Sequence, residues 1–288
     1  MNLIFVRIIN TLYYIIIDIY SAKHHSSFIY TSLPPNLMKS TPQQLKVLSI
    51  DIGGSHIKGT ILNEKGELQK KYEKVVTPIP ASPESVINSI KTLVKDFPEY
   101  NKISVGFPGY VKNGVIKTAP NLSNELWKDF DLANKLKEVL GAETQVVNDA
   151  DMQGLGVVDG KGLEVVITLG TGFGTAVLLN GNLLPHLEFS HQPVGKVKSY
   201  DKYIGEAALE KEGEKKWNKR MQKVFEVLKT VFNYDYLYIG GGNSDKLTFK
   251  LDKNMKIVSN ADGIKGGARL WVNTNAPETI KPIKIKKK

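Results

Sequence analysis

The sequence predicts an α/β fold built from two similar halves. Apolar runs typical of β-strands, such as residues 46–52, are interspersed with segments of helical spacing, such as residues 83–97. The order of three strands and a helix is followed by similar elements after Leu163. The 288 residues, 41% of them apolar, can bury the core of one large or two modest domains. We therefore expect two domains of mixed strands and helices.

The first half is predicted to open with an antiparallel meander. Strands are expected over residues 46–52, 57–62, 67–75 and 103–106. Pro83 starts a helix whose apolar side chains recur at helical spacing and which ends before Pro98. A second helix over residues 130–140 is expected to end at Gly141, a residue suited to a left-handed cap.

The second half is predicted to begin with two apolar strands, residues 163–169 and 173–179. Asn180, Gly181 and Asn182 then form a tight hairpin turn. Residues 201–232 have the spacing of two helices broken near Gly213, and residues 263–271 are predicted to form the last helix.

Three glycine-rich turns each follow a strand-like run. They contain Asp51, Gly53, Gly54, Ser55 and Lys58; Gly170, Thr171 and Gly172; and Gly240, Gly241 and Gly242. A turn without β-carbons lets backbone N–H groups approach phosphate oxygens, and an aspartate at the end of a strand can hold a hydrated cation. One such turn by itself is most often a hairpin. Three of them favour a phosphate-binding site.

With these turns the sequence resembles the actin-like sugar kinases, and more closely the ROK family. In that family D-I-G-G-[ST], G-T-G-x-G and I-G-G-G recur in this order, and the resemblance covers residues 46–271. It implies an α/β, actin-like ATPase (ribonuclease H-like) fold with two domains. We expect an N-terminal domain of residues 45–148 plus 263–276 and a C-terminal domain of residues 149–262. The last helix, rich in small residues, would return to pack closely on the first domain.

A strand that ends in Asn148 and Asp149 leads into a predicted helix. Without further context Asp149 is most simply the N-cap of that helix. In ROK kinases the aspartate of the N-D-A motif accepts the proton of the attacking sugar hydroxyl, and the asparagine before it helps to hold the sugar. The resemblance thus implies that Asp149 is the general base, a role open to a carboxylate within hydrogen-bonding reach of the hydroxyl. Asp151 stands where the family commonly has asparagine and receives no role.

The resemblance implies further sugar ligands. Asn121 lies in a P-N-L sequence whose asparagine lines the sugar site of the family, and an amide can both donate to and accept from a diol. The family pattern E-x-G-H here reads Glu188-Phe189-Ser190-His191, with serine in place of glycine. The expected sugar-binding set is Asn121, Asn148, Asp149, Glu188 and His191.

The resemblance also implies that the three turns hold the phosphoryl donor, with Asp51 positioning Mg²⁺ through water. The expected donor-binding set is Asp51, Gly53, Gly54, Ser55, Lys58, Gly170, Thr171, Gly172, Gly240, Gly241 and Gly242. His56 occupies a position where polyphosphate-using members usually have glycine and many ATP-dependent members have lysine. Its imidazole faces either the donor or the solvent.

The implied activity is phosphorylation of the 6-hydroxyl of glucose by polyphosphate and/or ATP. The absence of cysteine excludes disulfides and any thiolate zinc site. This absence favours the zinc-free branch of the family, which includes the polyphosphate-using glucokinases. Two alternatives stay open: an ATP-dependent ROK kinase for another hexose, and a non-catalytic sugar-binding or regulatory ROK protein. A cytoplasmic location is expected, and a homodimer is left open.

The net charge of +10 is concentrated at the ends of the chain. Residues 1–45 contribute +2 and the lysine-rich residues 281–288 contribute +5, which leaves +3 for the body. We therefore expect no nucleic-acid partner, and we expect the basic tail, residues 277–288, to be solvated. The basic stretch over residues 211–223 is either a solvated helix face or a binding track for an extended polyanion.

The segment before the first motif, residues 1–44, has an apolar run over residues 3–20. Arg7, Asn10 and Asp18 interrupt that run, so it is a poor membrane-spanning segment. We expect a disordered or spurious N-terminal extension. An interfacial anchor and a signal peptide remain as alternatives.

Overall fold

A computed structural model of the protein describes residues 44–194 and 198–272. The predicted basic tail and all but the last residue of the predicted N-terminal extension lie outside the described residues. Two five-stranded mixed sheets dominate the described part of the chain. None of its helices is long and apolar enough to cross a membrane.

The first sheet has the strand order β3-β2-β1-β4-β7. Its strands are β1 Lys46–Ile52, β2 His56–Asn63, β3 Glu73–Val76, β4 Lys102–Phe107 and β7 Glu143–Asn148. The first three strands form the predicted antiparallel meander, and β4 and β7 add to β1 in parallel. Two short strands, β5 Val111–Lys112 and β6 Val115–Ile116, form a separate hairpin.

Three helices belong to the first half of the chain. They are α1 Pro83–Val94, α2 Asn124–Trp127 and α3 Leu132–Leu140. The predicted start of α1 is confirmed, since Pro83 occupies the first turn and the Ser82 side chain caps the helix by accepting from the Ser85 N–H. Its apolar face buries Val86 and Ile90 against the first sheet. Helix α3 ends at Gly141 in the left-handed conformation, as predicted.

The second sheet has the strand order β10-β9-β8-β13-β14. Its strands are β8 Leu163–Leu169, β9 Phe173–Leu179, β10 Asn182–Leu183, β13 Tyr236–Gly240 and β14 Met255–Ile257. Strands β8 and β9 are antiparallel, whereas β8, β13 and β14 run parallel. This arrangement mirrors the first sheet, in agreement with the predicted repetition.

The helices of the second half pack on the second sheet through an apolar core. They are α5 Tyr200–Ile204, α6 Glu206–Glu212 and α7 Glu214–Phe232. The predicted break near Gly213 is confirmed, because Gly213 separates α6 from α7 with a positive φ of 76°. The predicted number of two helices is wrong, since a further break at Gly205 separates α5 from α6. Trp217 and Met221 of α7 are fully buried in this core. Strands β11 Pro193–Val194 and β12 Lys198–Ser199 form a small hairpin beside α5.

Helix α4 Asp149–Val157 contacts strands of both sheets, and α8 Gly266–Val272 packs against it. A β-carbon added to Gly266 would lie 1.9 Å from the carbonyl oxygen of Met152, so only glycine allows this approach. The Ser104 hydroxyl of the first sheet donates to the Gly267 carbonyl at 2.6 Å. The last helix therefore returns to the first sheet through its small residues, as predicted.

Two predicted elements start more than two residues away from the start that the structure gives. The sequence predicts the third strand over residues 67–75, but the strand starts at Glu73. The residues before it do not form the regular hydrogen bonds of a sheet with β2. The Gln69 N–H donates to the Ile61 carbonyl at 2.7 Å, and the Thr60 hydroxyl donates to the Lys70 carbonyl at 2.5 Å. The last helix was predicted from Gly263 but begins as a 3₁₀ segment, Asn260–Lys265, before the α-helix.

Candidate active site

A cavity of about 680 Å³ lies between the ends of strands from both sheets. Most of the residues predicted to bind sugar or donor line it. These are Asp51, Gly53, Gly54, Lys58, Asn121, Asn148, Asp149, Gly170, Thr171, Gly172, Glu188, His191 and Gly241. Ser55, Gly240 and Gly242 are absent from the lining, as is His56. The sequence motifs, which are spread over 190 residues between Asp51 and Gly241, therefore meet in one cleft.

The first turn places Asp51 at the cleft beside a lysine. Asp51 and Lys58 face each other across β1 and β2, and Lys58 Nζ lies 3.1 Å from Asp51 Oδ2. The turn between them is closed by the Gly53 N–H, which donates to the His56 carbonyl at 2.9 Å. A β-carbon at Gly53 would lie 2.9 Å from that same oxygen, which explains the glycine. Ser55 is exposed in this turn.

The second turn joins β8 to β9 and is held in place from α5 and α6. The Phe173 N–H donates to Asp201 Oδ1 at 2.7 Å, and the Glu206 N–H donates to the Gly170 carbonyl at 3.0 Å. The Thr171 hydroxyl lies 3.5 Å from Glu206 Oε2. Sequence reasoning assigned no role to Asp201, yet its side chain lines the cleft and fixes this turn.

The third turn reaches the cleft through Gly241 alone. Gly241 has a φ of 91°, and an added β-carbon would lie 2.1 Å from the Leu169 carbonyl oxygen. Gly240 is the buried last residue of β13. The Asn243 N–H donates to the Leu169 carbonyl at 2.9 Å, so this turn packs directly on the end of β8.

Asp149 is the first residue of α4, and the residue before it caps the helix. Asn148 Oδ1 accepts from the N–H groups of Ala150 at 2.8 Å and Asp151 at 3.3 Å. The simple alternative, in which Asp149 is the N-cap, is therefore wrong. The Asp149 carboxylate accepts from the Ala150 N–H at 2.8 Å through Oδ1 and lines the cleft. Asn148 also donates to the Gly109 carbonyl at 3.1 Å, so most of its amide is occupied by the backbone.

Three of the residues predicted to bind the sugar come from two loops. Glu188 precedes a short 3₁₀ helix, Phe189–His191, and its carboxylate accepts from the Ser190 hydroxyl. His191 ends this helix and is exposed. Asn121 lies on the opposite loop, close to the first turn: a β-carbon added to Gly54 would lie 3.8 Å from the Asn121 β-carbon.

The ROK family model matches residues 47–188. A polyphosphate glucokinase of Mycobacterium tuberculosis is 34% identical over 236 residues, which cover 76% of this chain and 88% of that protein. The chain belongs to the ROK family. A glucokinase of Thermotoga maritima is 31% identical over 151 residues, which cover 49% of this chain and 47% of that protein.

Solved structures support the same assignment and show the fold. The inorganic polyphosphate/ATP-glucomannokinase of Arthrobacter sp. strain KM aligns with a TM-score of 0.70 at 32% identity, covering 78% of this chain and 98% of that chain. A ROK family glucokinase of Streptomyces griseus, solved with glucose and AMPPNP, aligns with a TM-score of 0.65 at 19% identity, covering 78% and 98% respectively. The predicted actin-like fold is confirmed.

In this ROK protein the acid–base properties of Asp149 are shifted by its surroundings. Burial of the carboxyl group among protein atoms, together with the negative charges of Asp51, Asp151 and Glu188, raises the pKa of Asp149 to about 7. The residue is nevertheless exposed to the water of the open cleft. A sugar that displaced this water would complete the desolvation and hold the pKa high.

A buried charge cluster beside Glu188 was missed by sequence reasoning. His186 lies between the carboxylates of Asp151 and Glu188, and the pair Asp151–His186 is separated by 35 residues in the chain. The signals were present but weak: Asp151 departs from the family pattern, and His186 lies two residues before Glu188, which is predicted to bind the sugar.

The basic stretch on α6 and α7 is partly used for structure. Glu212 pairs with Lys216 and, at 2.8 Å, with Arg220, whose guanidinium also stacks 4.8 Å from the Tyr203 ring. Lys215, Lys219 and Lys223 are exposed at intervals of one helical turn. Both readings of this stretch, a solvated face and a polyanion track, are compatible with that arrangement.

Gly170→Ala is expected to weaken donor binding without affecting the fold. An added β-carbon at Gly170 meets no atom within 4 Å, and its φ is not in the left-handed region, so the methyl group would project into open space at the cleft. We expect a donor KM about tenfold higher, because the methyl group blocks close approach of a phosphate to the turn. The sugar KM and the melting temperature should not change. An unaltered donor KM would exclude phosphate contact at this glycine.

Proposed function

We propose that this protein transfers a phosphoryl group from polyphosphate or ATP to the 6-hydroxyl of glucose. The observation that carries the proposal is the place of Asp149: it lies in one cleft with sugar-binding side chains and with three glycine-rich turns suited to phosphates. The relatives named polyphosphate glucokinase and polyphosphate/ATP-glucomannokinase support both the sugar and the donors.

In the proposed mechanism Asn121, Glu188 and His191 bind the sugar hydroxyls. This binding places the 6-hydroxyl beside Asp149, which accepts its proton as the oxygen attacks the terminal phosphorus of the donor. The bond from that phosphorus to the bridging oxygen breaks, and ADP or the shortened polyphosphate leaves. The turns at Gly53, Gly170 and Gly241 line the cleft without β-carbons, so they let the donor phosphates approach the backbone closely. Lys58 is close enough to the first turn to neutralise phosphate charge.

A divalent cation, which we propose is Mg²⁺, suits the carboxylate at Asp51. Among the described residues no group of three or more His, Asp or Glu side chains is arranged to hold a metal ion. A single carboxylate that shares the ion with donor phosphates and water is the usual way in which kinases bind Mg²⁺. When bound, the ion offsets the negative charge on the transferred group. The residues thus fit a cation that enters with the donor.

We also propose that the chain divides into the two actin-like domains expected from the resemblance, residues 45–148 plus 263–276 and residues 149–262. Residues 273–276 lie outside the described residues. A cytoplasmic location remains a prediction. The oligomeric state is left open, and light scattering on the purified protein would measure it.

The second candidate function is phosphorylation of another hexose, with mannose favoured by the name of the glucomannokinase. Activity assays of the purified protein with each of three donors and each of four sugars separate these functions. The donors are ATP, GTP and polyphosphate, and the sugars are glucose, mannose, fructose and N-acetylmannosamine. Formation of glucose 6-phosphate with polyphosphate or ATP supports the proposal. Sugar binding without phosphorylation by any donor would instead identify a sugar-binding or regulatory protein.

The pH dependence of kcat/KM for glucose is expected to report Asp149. Only the ionised carboxylate can accept the proton, and the pKa of Asp149 is raised to about 7, so activity should fall below that pH by about tenfold per pH unit. The control is to measure the profile with ATP and again with polyphosphate. If the donor's own ionisation caused the fall in kcat/KM, the pH of that fall would change with the donor. A profile that is flat between pH 5.5 and 7 would contradict this assignment.

A further inference from the structure

His186 is a buried histidine outside the lining of the cleft. Its side chain is only 6% exposed. Nδ1 lies 3.0 Å from Oδ2 of Asp151, and Nε2 lies 3.4 Å from Oε2 of Glu188. Because both ring nitrogens face a carboxylate, the geometry favours the imidazolium form, in which each nitrogen carries a proton to donate.

These contacts join three segments of the chain. Asp151, with a side chain 4% exposed, belongs to α4, the helix that begins with Asp149. Glu188 belongs to the loop that leads into the 3₁₀ helix Phe189–His191, which we call the sugar loop. Tyr110, from the loop after β4, stacks on the His186 ring with centroids 5.9 Å apart and planes 20° apart. The imidazole therefore lies where three segments meet: helix α4, the sugar loop and the loop after β4.

We propose that His186 is a positioning residue for sugar recognition, which holds Glu188 in the orientation that faces the cleft and ties it to the helix of the catalytic base. This inference rests on the proposed function. His186 does not line the cleft, so it acts on the sugar only through Glu188.

The charges around His186 explain why Glu188 needs a fixed partner. Burial opposes protonation of the ring, but the hydrogen bonds to Asp151 and Glu188 outweigh it and raise the pKa of His186 to about 10. Burial likewise raises the pKa of Glu188, while the hydrogen bonds from His186 and Ser190 outweigh this effect and lower it. Without the imidazolium, the carboxylates of Asp151 and Glu188 would repel each other, and Glu188 would turn toward solvent.

The hydrogen bonds on Glu188 leave it prepared to accept from a sugar. Ser190 donates to Oε1 and His186 faces Oε2, so each oxygen is fixed by one donor. A carboxylate oxygen accepts at two sites, which leaves one site on each oxygen for hydroxyl groups. Fixed acceptors lose little rotamer entropy when the ligand arrives.

The test is the substitution His186→Asn, measured by steady-state kinetics. We expect the glucose KM to rise about tenfold, the usual scale for loss of a hydrogen bond to a charged group, while kcat and the donor KM stay within about threefold. His56→Asn, at a histidine that is also absent from the cleft lining, is the matched control and should leave the glucose KM unchanged. A glucose KM that is unchanged in His186→Asn would overturn the proposal.

A second variant separates positioning from a loss of folding. In Asp151→Asn/His186→Asn no uncompensated charge is buried at position 151, so this double variant should bind glucose more tightly than His186→Asn. If the fold-changes in glucose KM of the two single variants simply multiply in the double variant, the two residues act independently, and the proposed role of His186 is overturned. The double variant also supplies the kinetic test if His186→Asn does not fold.

NMR of the imidazole nitrogens distinguishes this inference from the proposed function. His186 in the full-length protein should keep both ring protons to above pH 9 and should lose one at lower pH in Asp151→Asn. Titration of the wild-type ring near the ordinary pKa of histidine would overturn the proposed role of His186, whatever the activity.

If the wild-type protein phosphorylates no glucose, the proposed function fails, and calorimetric glucose binding then replaces KM as the readout. Absence of glucose binding as well would overturn the role in sugar recognition.

Discussion

Replacing Asp149 with asparagine is expected to lower kcat by at least about 10²-fold, the scale on which a general base contributes. The amide keeps the shape of the side chain but cannot accept the proton of the sugar hydroxyl. Asn148 would still cap α4 through the N–H groups of Ala150 and Asp151, so the helix and the cleft should be unaffected. The sugar affinity, measured by calorimetry, should stay within a few-fold of the wild-type value.

The same variant has an expected effect on stability. The folded-state pKa of Asp149, about 7, lies above the ordinary carboxyl value, so ionisation of this group destabilises the folded protein progressively as the pH rises from about 4 to 7. Asparagine carries no charge at any pH and removes that effect. The melting temperature of Asp149→Asn relative to wild type should therefore be higher at pH 8 than at pH 5.

A matched control is Asp96→Asn, at an exposed aspartate outside the cleft lining, which should retain both kcat and stability. Near-normal kcat in Asp149→Asn would remove Asp149 from the mechanism. A loss of kcat accompanied by a much lower melting temperature would point to a structural defect instead.

The turns could be predicted from the sequence because their physics is local. A glycine that must avoid a clash within its own turn, such as Gly53 against the His56 carbonyl, leaves a short signature in the chain. The strands beside the turns are equally local, since their apolar runs identify β1, β8 and β9 without tertiary information.

The parts that were missed depend on distant contacts. No spacing rule connects Asp151 to His186, and only the packing of the sugar loop against α4 brings them within hydrogen-bonding distance. The sequence predicts too early a start for β3 because residues 67–72 look strand-like. In the structure the Thr60 hydroxyl donates to the Lys70 carbonyl, which interrupts the regular backbone hydrogen bonding between the strands. The cap of α4 was missed for another reason. It is a local contact, but Asn148 and Asp149 are both of the residue types that favour the N-cap, and only the structure shows that Asn148 takes this position.

Asp51→Asn is expected to have the second largest effect, a fall in kcat on the order of 10²-fold, because the carboxylate that would share the cation with the donor is lost. Asp51 lies at the end of β1 with its side chain 29% exposed, and within the described residues no cluster of carboxylates or histidines is arranged to take over a metal ion. The half-saturating Mg²⁺ concentration should rise markedly. The glucose KM should change little, since Asn121, Glu188 and His191 are untouched.

Comparison with Lys58→Met shows whether the fall in kcat of Asp51→Asn arises from weaker cation binding or from the broken ion pair. Asp51 also holds Lys58 at 3.1 Å, so a defect that came only from releasing the lysine would appear in both variants. We expect Lys58→Met to raise the donor KM while leaving the Mg²⁺ dependence as in wild type. Electron paramagnetic resonance of Mn²⁺ with a non-hydrolysable ATP analogue gives a readout that does not depend on turnover: Asp51→Asn should weaken Mn²⁺ binding and Lys58→Met should not. Equal Mn²⁺ affinity in Asp51→Asn and wild type would show that Asp51 serves the lysine rather than the cation.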